Sequence, residues 1–447
     1  MSRSLPLTAA ALVSITISSA PALSQDVDRM EQIVAAEADT GAFIGNVLVA
    51  VDGDIVFENS QGMANYDWQI PNSPNTRFRI GSVTKQFTAA SILMLQERGM
   101  VDIEAPVATY WPEAPESWEA ITVRQLLQHT SGIPNVTSLD GFATMKFLPT
   151  SPDELIATFS DLPLEFEPGE RWSYSNSNYL ILTEIVEDVS GLSYAEFVQT
   201  NIFDPLGMDS TGVDNNAAVV PHRATGYFPG GEGPRPADYV NMDIPQGAGA
   251  LYSTTHDLLR WQQALFAGEV LEAESVELMT TPGLGNYALG VMIDDNNGRL
   301  VWHGGGIEGF NAWLGHDTSR DITVVVLANQ NGGAANNIAR DLVAHARGEE
   351  VSLPGERARL QLPTETLDEY VGTFAITADF KIAIFREGET LMTQATGQGA
   401  FPVYAAGDDV FYLEVVAAEL HFTRDDDGTV TGLVLHQGGQ EVPAIKE

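Results

Sequence analysis

Ile80-Gly81-Ser82-Val83-Thr84-Lys85, running without a break into residues 86–100, is the stretch on which the reading of this chain turns. The pattern predicts a helix over 82–98 that opens on a serine and places a lysine one turn later. Side chains at i and i+3 share a helix face, with Cβ atoms about 5–6 Å apart. Phe87, Ala89, Ala90, Ile92, Leu93, Met94 and Leu95 make the helix apolar on nearly every side, which marks it as buried. The ordinary reading of such a pair is a serine N-cap and a lysine that snorkels its head into solvent. Lysine is scarce in this chain, however: Lys85, Lys146, Lys381 and Lys446 are the whole inventory. A lysine kept at the buried start of a core helix acidifies a neighbouring hydroxyl as the ammonium or takes its proton as the neutral amine.

Working outward, 447 residues exceed one ordinary core, so two domains are expected. Apolar residues at 44% and charged residues at 19% are the proportions of a globular protein. The balance of 22 basic against 61 acidic residues gives a net charge of −39, which repels phosphate backbones and anionic lipid surfaces. Nucleic acid and a stable membrane anchor are therefore not expected as partners; a small-molecule or peptide substrate is, and the oligomeric state is left open. The acid is spread over the whole chain, a general surface property consistent with a saline habitat. Residues 1–24 read as a secretory signal peptide: Arg3, an apolar stretch over 5–17, and the small-residue exit Ala20-Pro21-Ala22-Leu23-Ser24. Cysteine is absent, which excludes disulfides and thiol chemistry. A bacterial periplasmic or secreted protein is expected.

In chain order, 26–40 reads as an amphipathic helix, followed by a β-branched run at 43–51, an Asp52-Gly53-Asp54 turn and a return strand at 55–58. Further helices are expected at 122–129, 152–159, 177–190, 193–200 and 255–267. After Pro282 the period changes to strands at 287–293, 299–303 and 321–328, with a helix at 337–346 packing back. Strands at both ends with helices between them predict an α/β (α+β) fold, an antiparallel sheet flanked by helices with a helical subdomain over 25–352. Residues 353–366 read as a linker, and 367–447 as a small all-β C-terminal barrel or sandwich with strands at 370–376, 381–385, 391–395, 410–416, 420–424 and 430–436. Asp425-Asp426-Asp427-Gly428 reads as a hairpin turn, since a calcium loop needs a later glutamate.

Three short stretches carry the chemistry: Ser82 with Lys85; Tyr174-Ser175-Asn176, leading into a helix; and His303-Gly304-Gly305-Gly306, ending a strand. Each has a plain reading. Tyr174 could be a buried phenol, Asn176 a helix cap, His303 a structural histidine and the glycines a turn. The order and spacing together resemble the serine β-lactamase and penicillin-binding-protein superfamily. The branch resembled holds class C β-lactamases, D-aminopeptidases and β-lactamase-fold esterases. Residues 79–85, 126–134, 168–176 and 248–254 add matches, so the resemblance spans about 30–345, and the C-terminal part resembles the lipocalin-like barrel appended to some of these serine hydrolases.

The resemblance implies a serine hydrolase without cofactor or metal. Ser82 attacks a carbonyl and forms an acyl-enzyme; Tyr174 and Lys85 between them supply the base, the proton acceptor being left open. Asn176 binds the substrate's acyl-side amide and helps hold Lys85. The N–H groups of Ser82 and Gly306 form the oxyanion hole in the segment His303, Gly304, Gly305, Gly306. Lactamases carry Lys-Thr-Gly or Lys-Ser-Gly where this chain has His303 and Gly304, and a neutral imidazole is a poor carboxylate anchor. D-residue-containing peptides (D-aminopeptidase or D,D-peptidase type) or carboxylic esters are thus the expected substrates. A class C-like β-lactamase and a penicillin-recognising sensor that is acylated once are the alternatives. An α/β-hydrolase lipase is excluded, because no Gly-x-Ser-x-Gly occurs, and no His-Glu-x-x-His supports a metal hydrolase.

Overall fold

The computed structural model describes residues 26–447 apart from 232, 354–355, 357–358, 379, 414–417, 426 and 438–439. The expected signal peptide at 1–24, parts of the 353–366 linker and Asp426 lie outside the described residues.

The apolar runs at the two ends of the larger body pair into one six-stranded antiparallel sheet. Its order is Met292–Asp294, Leu300–Ile307, Phe310–Asp317, Ile322–Ala328, Gly45–Val51 and Asp54–Gln61. The early strand lies beside the late one in register, Val47 opposite Val326 and Leu48 opposite Val325. Alternation then sends Val47, Val49, Val324 and Val326 to one face, where helices Val27–Ala38 and Ala334–Ala346 cover them with Met30, Ile33, Ile338 and Leu342. Leu48, Val325 and Leu327 face the other side and join the large core under the helical subdomain. Helix Thr84–Glu97 runs through that core, buried continuously from Thr84 to Leu95. Helix Asn176–Ser190 packs alongside it, and three capping boxes (Thr122 with Gln125, Ser151 with Glu154, Ser193 with Glu196) start the shorter helices.

Some expectations need correction. The strand at 287–293 is confined to Met292–Asp294, because Ala288 donates back to Val291 in a turn built on Gly290. Gly290 has φ +77°, and a Cβ there would fall 2.7 Å from the Lys85 carbonyl oxygen, so the turn presses on the helix at Lys85. Strand Phe310–Asp317 was not anticipated, and helix Thr364–Glu369 forms where the end of the linker and the helix-free start of the barrel domain were expected.

The C-terminal strands close into an eight-stranded barrel whose neighbours are all consecutive and antiparallel, from Gly372–Ala375 to Gln440–Lys446, which pair with each other. Strands Phe401–Gly407 and Gln440–Lys446 raise the expected six to eight. Asp425 bonds Thr429 across the anticipated hairpin turn. Phe374, Phe411, Phe422 and Tyr370 meet edge-on inside with Leu391, Leu420 and Leu433, so side chains fill the barrel. Arg29 of the first helix grips Glu356, ahead of the barrel, with both terminal guanidinium nitrogens. Among the described residues no helix is long and apolar enough to cross a membrane.

Candidate active site

Ser82 is delivered by a tight turn. Phe78 and Arg79 pair with Ser253 and Tyr252, and Arg79 and Arg223 both bind the fully buried carboxylate of Asp214. Two charge-assisted bonds compensate the desolvation of that carboxylate and fix the backbone entering the site. Gly81 then takes φ +50°, with the site of a Cβ 2.7 Å from the Gly306 amide nitrogen. A Cβ at Gly305 would fall 2.0 Å from the Ile80 carbonyl oxygen and 3.1 Å from the Ser82 amide nitrogen. Both glycines are therefore required by close approach of two backbones. The strand end and the helix start are held face to face, with Ser82 part-exposed and Gly306 exposed.

Lys85 is fully buried, and its ammonium position is triangulated by three oxygens: Ser82 Oγ at 3.2 Å, Asn176 Oδ1 at 2.9 Å and the Ala248 carbonyl at 2.7 Å. Its Nζ also lies 4.8 Å from the centre of the Tyr174 ring. Burial drives the Lys85 pKa well below 10.5. Burial likewise raises that of Tyr174, which the neighbouring Ser82 offsets only in part. Asn176 is not a cap; it is the first residue of its helix, and its backbone N–H is taken by Asn135 Oδ1 at 3.0 Å. That leaves the Asn176 side chain to serve Lys85.

The third stretch departs from a carboxylate anchor more strongly than its sequence implied. His303 is only 5% exposed, and its Nδ1 lies 2.6 Å from the Gly304 carbonyl, an acceptor, so Nδ1 carries the proton. Nε2, 3.0 Å from the Tyr287 hydroxyl, is then the acceptor. Burial, with the Lys85 charge second, lowers the His303 pKa to about 3. The imidazole is neutral and occupied at both nitrogens.

All the expected site residues thus converge: Ser82, Lys85, Tyr174, Asn176 and His303-Gly304-Gly305-Gly306. Sequence reasoning assigned no role to Ala248, Tyr287 or His129, although 126–134 and 248–254 were recognised as matching stretches. His129 packs its ring 4.4 Å from Tyr174 and 4.7 Å from Tyr287. A histidine at the kinked end of a helix was the available signal, but its neighbours come from distant parts of the chain.

Comparison with known proteins agrees with this geometry. The β-lactamase family matches residues 30–349, and a domain family of unknown function (DUF3471) matches 356–444. Penicillin-binding protein 4* of Bacillus subtilis is 28% identical over 438 residues, covering 90% of this chain and 95% of that protein. Among solved structures, the octameric penicillin-binding protein homologue from Pyrococcus abyssi superposes with a TM-score of 0.67 at 26% identity, over 94% of this chain and all of that one. A D-stereospecific amidohydrolase from Streptomyces gives a TM-score of 0.64 at 27% identity, over 73% of this chain and all of that one. The chain belongs to the β-lactamase family of serine hydrolases.

Proposed function

We propose that this protein is an exported acyl-enzyme hydrolase of D-residue-containing peptides and amides or of carboxylic esters, with Ser82 as nucleophile. The observation that carries the reading is the set of contacts around Lys85. Two of its partners, Asn176 Oδ1 and the Ala248 carbonyl, only accept, so a neutral amine gives both its protons to them and aims its lone pair at the Ser82 hydroxyl. Burial favours that neutral form, and it favours a protonated Tyr174. Lys85 accordingly takes the Ser82 proton while Oγ bonds to the carbonyl carbon. The carbonyl electron pair moves onto oxygen, where the N–H groups of Ser82 and Gly306 receive it. Collapse expels an amine or alkoxide, which takes the Lys85 proton through the Tyr174 hydroxyl. Water then releases the acid by the same steps, and Asn176 orients the acyl-side amide.

The substrate class follows from His303, which offers no cation for a substrate carboxylate; this disfavours β-lactam turnover. The similarity to a D-stereospecific amidohydrolase supports a D-configured amide. Export rests on the composition of residues 1–24, and the filled barrel reads as a structural or gating body. The test is a panel of a D-alanyl anilide, a D-Ala-D-Ala peptide, short nitrophenyl esters and a chromogenic cephalosporin, each with wild type and Ser82→Ala. Turnover of an amide or ester that Ser82→Ala abolishes is expected. Activity surviving in Ser82→Ala overturns the mechanism, rapid cephalosporin turnover overturns the substrate class, and stoichiometric acylation without turnover makes the protein a sensor.

A further inference from the structure

His129 is fully buried and sits in the left-handed region at φ +57°, at the end of the short helix Val123–Leu127. Its two acceptors hold the residues on either side of Tyr174. The His129 carbonyl receives the Ser173 N–H at 2.9 Å, and its Nδ1 receives the Ser175 N–H at 3.2 Å. The Asn178 amide lies 3.3 Å from the same nitrogen, and Asn178 is itself fixed by Ser131 at 2.7 Å. Because a backbone N–H can only donate, Nδ1 is unprotonated and the proton resides on Nε2. Nε2 has no hydrogen-bond partner among the described residues, and the imidazole is packed among the rings of Tyr174, Tyr179 and Tyr287.

We propose that His129 is a positioning residue for acyl transfer: as a neutral imidazole it fixes the backbone on both sides of Tyr174 and the face of its ring, so that the phenol stays aimed at Ser82. The inference rests on the reading of Ser82, Lys85 and Tyr174 given above. A charged imidazole at this place would lose the Ser175 bond; burial first, and the Lys85 charge whenever that residue is protonated, hold it neutral. The titratable groups that surround it are Lys85, Tyr174, Tyr179, Tyr287 and His303.

Asparagine places Oδ1 close to where Nδ1 now stands and tolerates the left-handed backbone; leucine does neither. On a nitrophenyl ester, His129→Leu is expected to lose about a hundredfold in kcat with little change in KM, while His129→Asn stays within about tenfold of wild type. The pH profile of His129→Leu is expected to shift, since the phenol no longer holds one position beside Lys85. A folded His129→Leu with wild-type kcat and profile overturns the inference, as does an asparagine variant as inactive as the leucine one. Should neither variant fold, nitrogen NMR of the imidazoles in the wild-type protein decides: His129 must stay a neutral Nε2–H tautomer from about pH 5 to 9, and protonation in that range refutes the assignment. Ester turnover by wild type that Ser82→Ala abolishes, alongside an unaffected His129→Leu, would sink this role and leave the proposed function standing.

Discussion

Tyr287 donates its hydroxyl to Nε2 of His303 at 3.0 Å, closing off the imidazole whose other nitrogen is already turned onto Gly304. The pair replaces a cationic anchor by a neutral, internally satisfied one. Removing the hydroxyl in Tyr287→Phe leaves a buried acceptor without its donor, at a cost of about 1–3 kcal/mol. Urea denaturation is expected to show that loss as a lower midpoint; an unchanged midpoint would show that the bond contributes nothing.

Neighbouring glycines in the same strand are expected to behave oppositely. The nearest atom to a Cβ at Gly304 is 3.8 Å away, whereas at Gly305 it is the Ile80 carbonyl oxygen at 2.0 Å. Gly304→Ala should fold with near-normal stability. Gly305→Ala must push the strand away from Ser82, losing about 1–3 kcal/mol of stability and most of its activity. Equal activities in the two variants would refute the close approach.

The pH dependence follows from Lys85. Its neutral form is the active one, so the rate is lost as pH falls through the lowered folded pKa and levels off well below 10.5. Stability moves the same way, because between the folded and unfolded values the unfolded chain binds the extra proton. With the His303 pKa near 3 and that of His129 also depressed, no inflection from either histidine is expected near pH 6.5. A kcat/KM profile whose rising limb sits at the ordinary lysine value would contradict this.

Glu184 lies on helix Asn176–Ser190, and burial first, then the charges of Glu187 and Asp153, raises its pKa to about 7. The folded state therefore holds a proton that the unfolded state releases above about pH 4.5, and stability falls as pH rises from there to about 7. Glu184→Gln removes that slope. Its melting temperature should exceed wild type at pH 8 and match it near pH 5; a constant offset between the two would count against the assignment.

The helix carrying Lys85 was legible because its apolar residues leave no polar face, and because Lys85 is one of only four lysines, although it starts at Thr84 and leaves Ser82 in a 3-10 turn ahead of it. The outer frame was legible from the β-branched runs at 43–51 and 321–328. Strand Phe310–Asp317 was not, since Asn311, Gly315, His316 and Asp317 resemble a turn, and only pairing on both edges makes a strand of them. Pro402 and Pro443 hid two barrel strands in the same way. His303 lies beside Tyr174 as the sequence suggested, but its neutral and occupied state depends on Tyr287 and on burial, neither of which is a local property. His129 stayed without a role because one residue's ring and carbonyl serve a loop more than forty residues away.

The register of the sheet also sets an order of events. Gly45 pairs with Ala328, and Gly306, which closes against Gly81 beside Ser82, belongs to a strand held by Phe310–Asp317, itself bonded to Ile322–Ala328. Such distant pairings form late, after the local helices. A chain emerging amino-end first thus carries its nucleophile long before the opposing wall exists. The topology therefore predicts that hydrolysis awaits the arrival of strand Ile322–Ala328.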